Sequence, residues 1–359
     1  LTRISSKEQL KKNGYNRPLV LINECWFMSD KKCSISPLPL GHVLKNSYQI
    51  QSVLAKGSFS WVYLAQNQKS KKTIVIKEYA PSLYAQRPQH TTWVKPDTKS
   101  IREFEVGLEI FFEEIRSLCL LRSDAIANVI DAFVWQDNAY MAMSYQAGLT
   151  LEQYIHQKIN RRQHVSHAAF SLLDLLKIGS SIAGILRKIH RLGWLHLDIK
   201  PSNIYVTPQQ KALLLDLGSA HQKFKSTPSS NLIYTPCFAA PEIFTKDQNQ
   251  IGPWCDIYAF GACLYQMITH QVPNPSKDRL KDDVVEKKLG SLLDEGKRGL
   301  ALLIKQMMSM NKEKRPGSFF MIEQELHKLL QIENLKKKQQ EQAISRYLSS
   351  YTLVGSQVF

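Results

Sequence analysis

The segment His196-Leu197-Asp198-Ile199-Lys200-Pro201-Ser202-Asn203 is followed, thirteen positions after its last residue, by Asp216-Leu217-Gly218. A carboxylate, a lysine, an amide and a second carboxylate in this order fit phosphoryl transfer, which needs positioning and charge compensation more than covalent chemistry. Asp198 would accept the proton of an attacking hydroxyl, or orient that hydroxyl. Lys200, two residues on, would offset charge on the transferred group. Asn203 and Asp216 offer hard oxygen ligands suited to Mg²⁺ bridging phosphates.

Two further stretches carry matching chemistry. Leu54-Ala55-Lys56-Gly57-Ser58-Phe59-Ser60-Trp61-Val62 reads as strand–turn–strand, and such a hairpin can lie over a nucleotide with backbone N–H groups facing phosphates. It has one glycine, with Ala55 and Ser60 at the outer small positions, so alone it also reads as an ordinary hairpin. Lys77 ends the apolar strand Ile74-Val75-Ile76. Pointing inward it needs an acidic partner, Glu114 or Glu113 on the following helix, and would then aim an ammonium at phosphates.

These groups must be positioned by two kinds of element. Tyr48–Leu54, Trp61–Gln66, Thr73–Tyr79, Val129–Trp135 and Ala139–Tyr145 are alternating or β-branched and read as strands. Phe104–Leu121 is helical, with Phe104, Leu108, Phe111, Ile115 and Leu118 on one face. Pro81 to Lys99 holds three prolines and reads as a loop. Beyond Gly148 the chain turns helical. Ser171–Leu192 stops at Gly193, two short strands fall at Ile204–Thr207 and Ala212–Leu215, and helices follow at Asp256–Thr269, Arg298–Met310 and Phe319–Gln331. Leu19–Asn23 is a candidate strand in an otherwise irregular start.

Composition narrows the class. With 359 residues, 43% of them hydrophobic, the chain can bury a sizeable core in two lobes or domains. No run approaches a membrane span, and no secretory leader pattern is present, which predicts a cytoplasmic protein, with export into a host cell left open. Met28-Ser29-Asp30 is the expected natural start, with residues 1–27 upstream of it. Six scattered cysteines without a C-x-x-C pair read as reduced thiols. His156, His164 and His167 lie among basic and polar residues and read as a solvated loop rather than a metal site. The net charge of +16 is spread along the chain, which favours an acidic partner or surface over direct nucleic-acid binding.

Taken together, residues 46–331 resemble the eukaryotic-type (Hanks) Ser/Thr protein kinases. The glycine-rich hairpin, Lys77, Glu114, the loop His196–Asn203, Asp216-Leu217-Gly218 for D-F-G and Ala240-Pro241-Glu242 for A-P-E carry the resemblance. Asp256 and Gly261 fit the family's central helix, and Arg315 fits the arginine that pairs with Glu242. Ile76-Lys77-Glu78-Tyr79-Ala80-Pro81 and Gly252-Pro253-Trp254-Cys255-Asp256-Ile257-Tyr258-Ala259 resemble bacterial members in particular.

The resemblance implies an α+β bilobal fold. The β-rich N-lobe with one main helix would span 46–146 and the helical C-lobe 147–331, with ATP in the cleft between. Residues 1–45 would form a mostly irregular extension and 332–359 a helical tail with a loose end. It implies ATP contacts from Ala55, Gly57, Ser58, Phe59, Ser60, Val62, Lys77, Met143, Ser144, Tyr145, Gln146, Asn203, Tyr205 and Asp216, with Mg²⁺ on Asn203 and Asp216. Catalytic roles fall to Asp198, Lys200, Lys77 and Glu114. The partner would be a protein carrying Ser or Thr, including the chain itself, and Thr235 would steady Asp198 and Lys200.

Leu197 departs from the family, which often has an arginine there to grip an activation-loop phosphate. Activity independent of such a phosphate is therefore expected, with Ser226, Thr227, Ser229 and Ser230 open to modification without switching the enzyme. Ala55, Ser60 and Leu217 also depart, but remove no group that touches metal or phosphate. The rival readings are a nucleotide-binding pseudokinase and a kinase-fold enzyme acting on a small molecule or lipid.

Overall fold

The computed structural model describes residues 35–57, 59–121, 126–162, 170–215, 221–222, 234–245, 248–292 and 297–355. The chain divides into two compact units. Of the described residues, those in 35–108 and 131–142 form the first, and those in 109–130 and 143–355 the second.

The first unit is built on an antiparallel sheet. Its strands are β1 (Val43–Leu44), β2 (Tyr48–Lys56), β3 (Ser60–Asn67) and β4 (Thr73–Tyr79), then β7 (Val129–Trp135) and β8 (Asn138–Ser144), in the order β1-β2-β3-β4-β8-β7. Alternation sends Tyr48, Ile50, Tyr63, Ala65, Ile74 and Ile76 to one face, where they pack with Leu38, Leu44, Phe133, Tyr140 and Ala142. Phe133 stacks between Tyr48 and Tyr140, with ring centroids 5.6 and 5.4 Å away. The Pro81–Lys99 stretch, expected as loop, holds a small ladder of β5 (Ala85–Gln86) with β6 (Lys95–Pro96). Two-residue strands show no periodicity, so the sequence gives no sign of them. Helix α1 (Ile101–Leu120) follows.

The second unit is mainly helical. Its elements in order are β9 (Leu149–Thr150), α2 (Leu151–Arg162), α3 (Leu172–Arg191), β10 (Trp194–Leu195), β11 (Ile204–Val206), β12 (Ala212–Leu214), β13 (His221–Gln222), α4 (Pro253–Thr269), α5 (Ser276–Arg279), α6 (Val284–Ser291), α7 (Arg298–Met307) and α8 (Phe319–Gly355). Helix α3 starts at Ser171, whose side chain accepts the Asp174 N–H at 3.0 Å. It buries Leu175, Leu176, Ile178, Ile182, Ile185, Leu186 and Ile189. Helix α4 has proline at its first position and is buried from Cys255 through Ile268. An all-round apolar helix of this kind is the one the rest of a domain packs around.

One further reading changes. His156 sits on α2 rather than in a loop. That helix buries few residues, chiefly Leu151 and Ile155 one turn apart, too little periodicity to read. His164, His167 and the candidate strand Leu19–Asn23 lie outside the described residues. Helix α8 buries Phe319, Ile322 and Leu326, then runs on as one helix in which residues 334–346 are exposed throughout. Cys119, Cys237, Cys255 and Cys263 are free thiols. Among the described residues no helix is long and apolar enough to cross a membrane.

Candidate active site

The most complete part of the site lies in the second unit, between β10 and β11. Asp198 Oδ2 pairs with Lys200 Nζ at 2.8 Å. The Thr235 hydroxyl donates to Asp198 Oδ1 and accepts from Lys200 Nζ, each at 3.0 Å. The Asn203 amide nitrogen donates to the Asp198 carbonyl at 2.9 Å and to Oδ2 at 3.1 Å. With its nitrogen committed, the Asn203 amide keeps Oδ1 as its acceptor, the hard oxygen a Mg²⁺ ion needs. Of the two expected ligands, the one among the described residues, Asn203, therefore fits the metal.

The backbone of this loop is set by a buried acid. Asp256 on α4 is 0% exposed and accepts the N–H groups of His196 and Leu197, each at 2.8 Å. It also meets His190 Nε2 at 2.7 Å. Burial pushes the Asp256 carboxyl up, but the His190 ring and the groups of His196 outweigh it, so the carboxyl titrates below its ordinary value. Leu197 has φ +61°, a left-handed conformation that a branched residue adopts only when held there.

Strands β11 and β12 pair Ile204 with Leu214, and the Leu215 N–H donates to the Asn203 carbonyl at 3.0 Å. The chain thus enters the Asp216 segment beside Asn203. Asp216 itself lies outside the described residues. Below the loop, Glu242 pairs with Arg315, one contact being Nη2 to Oε2 at 3.1 Å, and Arg315 also donates to the carbonyls of Trp254 and Ser309. The Ser276 hydroxyl donates to the Ala239 carbonyl at 2.9 Å, fixing the segment after Thr235.

The segment Met143-Ser144-Tyr145-Gln146 begins with a buried methionine and opens to solvent at Tyr145 and Gln146. The Tyr205 hydroxyl donates to the Gln146 carbonyl at 3.0 Å. Gly148, with φ +154°, makes this approach feasible, because a Cβ there would strike the Val206 carbonyl and the Tyr205 ring. Glu114 on α1 is 4% exposed, whereas Glu113 is exposed and paired with Arg116. Of the two acids, Glu114 is the buried one.

In the first unit the β2–β3 turn is closed by Gly57 N–H donating to the Ser60 carbonyl at 2.7 Å. Ala55 pairs with Val62 across the hairpin. The Ala80 N–H donates to the Phe59 carbonyl at 2.8 Å, tying the hairpin tip to the end of β4. Ser58 lies outside the described residues. Lys77 pairs with Val62 in the ladder and is 8% exposed.

Sequence reasoning missed His190 and Gly148. His190 lies 66 positions from Asp256, with no local signal. Gly148 lies three positions after the strand-like run Ala139–Tyr145, and a lone glycine there is the signal that could have pointed to a backbone constraint.

Comparison with known proteins identifies a family and relatives. The protein kinase domain family matches residues 48–330. A protein of Clostridium perfringens named "Probable serine/threonine-protein kinase" is 26% identical over 65% of this chain and 30% of its own length. A Bifidobacterium longum protein of the same description is 26% identical over 64% of this chain and 27% of its own length. The chain thus spans less than a third of each of these relatives. Among solved structures, the apo form of PpkA-294 is 25% identical with a TM-score of 0.67, covering 82% of this chain and 99% of that one. A mutant form of the Mycobacterium tuberculosis PknI kinase domain aligns over the same shares at 19% identity and a TM-score of 0.52, a likeness of fold. The family match takes in β2–β4, the Asp198 loop, Asp256 and the Glu242–Arg315 pair, and covers well over half of the sequence. The chain belongs to the protein kinase domain family, with its bilobal α+β fold.

Proposed function

We propose that this protein transfers the γ-phosphoryl group of ATP to Ser or Thr hydroxyls of proteins, with Mg²⁺. The observation that carries the reading is the Asp198–Lys200–Thr235–Asn203 cluster. Asp198 receives the acceptor's O–H proton as its oxygen bonds to the γ-phosphorus and the bond to the β-phosphate oxygen breaks, releasing ADP. Lys200 offsets the charge that develops on the transferred group. Mg²⁺, when bound through Asn203 and Asp216, supplies charge neutralisation of the phosphates. Lys77 and Glu114 serve to position the α- and β-phosphates, and the hairpin Ala55–Val62 serves to cover them. Met143 to Gln146 and Tyr205 border the adenine.

The Thr235 bridge supports a Ser/Thr protein acceptor over a small molecule, because it ties the catalytic pair to the segment leading into Ala240-Pro241-Glu242. Leu197, 8% exposed and apolar, supports activity without a loop phosphate, since it offers no cation to grip one. A cytoplasmic setting, where ATP is available, belongs to this reading, whether in the cell that makes the protein or in a host cell.

The test is transfer of labelled phosphate from Mg·ATP to the protein itself and to a generic protein substrate. Label on Ser or Thr that drops about a hundredfold or more in Asp198→Ala, with ATP still bound, is the expected result. Equal transfer by the variant, or none by the wild type, would sink the proposal.

A further inference from the structure

Strand β4 carries Glu78 and Tyr79 directly after Lys77, and neither has a part in the reaction above. Glu78 is 0% exposed. Its carboxylate accepts from the Tyr63 hydroxyl at 2.6 Å, the Tyr140 hydroxyl at 3.0 Å and the Asn138 amide at 3.4 Å, and pairs with Arg87. Burial pushes both tyrosine hydroxyls up, and Glu78 adds to it, so both stay protonated as donors. A buried charge held from four sides adds little net stability over an apolar pair, and what it does supply is one fixed arrangement.

The same groups hold a segment ahead of the family domain, which begins at residue 48. The Leu38 N–H donates to the Tyr63 hydroxyl oxygen at 3.0 Å. Arg87 donates to the Ser36 carbonyl as well as to Glu78. Trp61 Nε1 donates to the Ile35 carbonyl at 3.0 Å. Ile35 and Leu38 are 0% and 2% exposed. Residues 35–38 therefore form a strap fastened to β3 and β4 through the Tyr63 hydroxyl and Arg87.

Successive strand residues face opposite ways, so Glu78 looks to the strap while Lys77 and Tyr79 share the other face. Tyr79 donates to the Phe104 carbonyl at 2.8 Å, and its ring packs on Phe104. Gly107 has no Cβ to collide with the Tyr79 hydroxyl. Lys77 is thus next to one residue locked to the strap and two from another locked to α1.

We propose that the strap Ile35–Leu38 is a working part of the nucleotide site. It acts through Tyr63 and Glu78, as positioning residues, to hold the direction in which β4 presents the Lys77 ammonium. This rests on the reading of Lys77 as the phosphate-binding lysine.

The experiment measures binding of Mg·ATP and of adenosine to the full chain by calorimetry. Adenosine lacks phosphates and so reports on the fold of the site without Lys77. Lys77→Met should weaken Mg·ATP about tenfold and leave adenosine unchanged, as loss of a charged contact predicts. Tyr63→Phe, which removes the one hydroxyl joining Leu38 to Glu78, should weaken Mg·ATP about fivefold and leave adenosine unchanged. The neutral pair Glu78→Gln with Arg87→Gln should do the same. If Lys77→Met binds Mg·ATP as the wild type does, the reading of Lys77 falls and the proposal with it. If Lys77→Met is selective for Mg·ATP while the strap variants weaken both ligands alike or neither, the strap inference alone is overturned. Loss of the folded state in both strap variants would likewise overturn it, leaving the network a purely structural one.

Discussion

The carboxylate of Asp256 accepts the backbone N–H groups of both His196 and Leu197, each at 2.8 Å, while Leu197 is held at φ +61°. A central buried helix thereby dictates the backbone of the loop that carries Asp198. The left-handed conformation costs about 1–2 kcal/mol for a branched residue, and charge-assisted hydrogen bonds of about 1.5–3 kcal/mol each outweigh it.

Asp256→Asn should therefore cost about 2–4 kcal/mol at pH 7, because an amide replaces one acceptor oxygen with a donor. The effect should depend on pH. The Asp256 carboxyl titrates below its ordinary value in the folded protein, so its stabilisation is fully present above the unfolded value of about pH 4. It is lost as pH falls through the lower folded value. Urea midpoints measured from about pH 3 to 7 should show the gap between wild type and Asp256→Asn closing only at the acid end. A gap that closes toward neutral pH would contradict the assignment.

Thr235 bridges Asp198 and Lys200 with a single hydroxyl. Thr235→Ala should lower kcat about tenfold, the effect of one or two lost hydrogen bonds on positioning. Thr235→Ser keeps the hydroxyl and should recover most of the rate. Steady-state kinetics on the two variants decides it, since equal losses would point to packing of the methyl group.

Simultaneous alanine replacement at Ser226, Thr227, Ser229 and Ser230 should leave transfer within about twofold of wild type, because Leu197 supplies no charge-assisted grip on a loop phosphate. Loss of activity in a variant that still binds ATP and unfolds at the wild-type temperature would show that a loop phosphate is needed after all.

Gly148→Ala should destabilise the second unit by about 1–3 kcal/mol through backbone strain at φ +154° alone, with the clash against Val206 and Tyr205 added to it. A thermal melt reads this directly. Gly290→Ala, where a Cβ meets nothing within 4 Å, is the control and should melt within a degree or two of the wild type.

The candidate site was legible because the groups expected to react are close in sequence. Asp198, Lys200 and Asn203 fall within six residues, so turn geometry alone brings them near one another. The strands β2 to β4 and helices α3 and α4 were legible from period-2 and period-3.6 patterns that run long enough to register. Elements β5, β6 and α2 were not, because they bury too few residues for a period to appear. The residues alone left Glu113 and Glu114 both open as the partner of Lys77, and the family resemblance favoured Glu114, which is buried; what no local pattern shows is a partner remote in the chain. The same limit hid the roles of His190, Arg87 and residues 35–38. Each acts on a partner tens of residues away, His190 on Asp256, Arg87 on Ser36 and Leu38 on Tyr63. The residue types that can move a phosphate were written in the sequence. The tertiary structure alone decided which buried carboxylates fix the backbone that aims them, because desolvation and hydrogen-bond geometry exist only once distant segments pack.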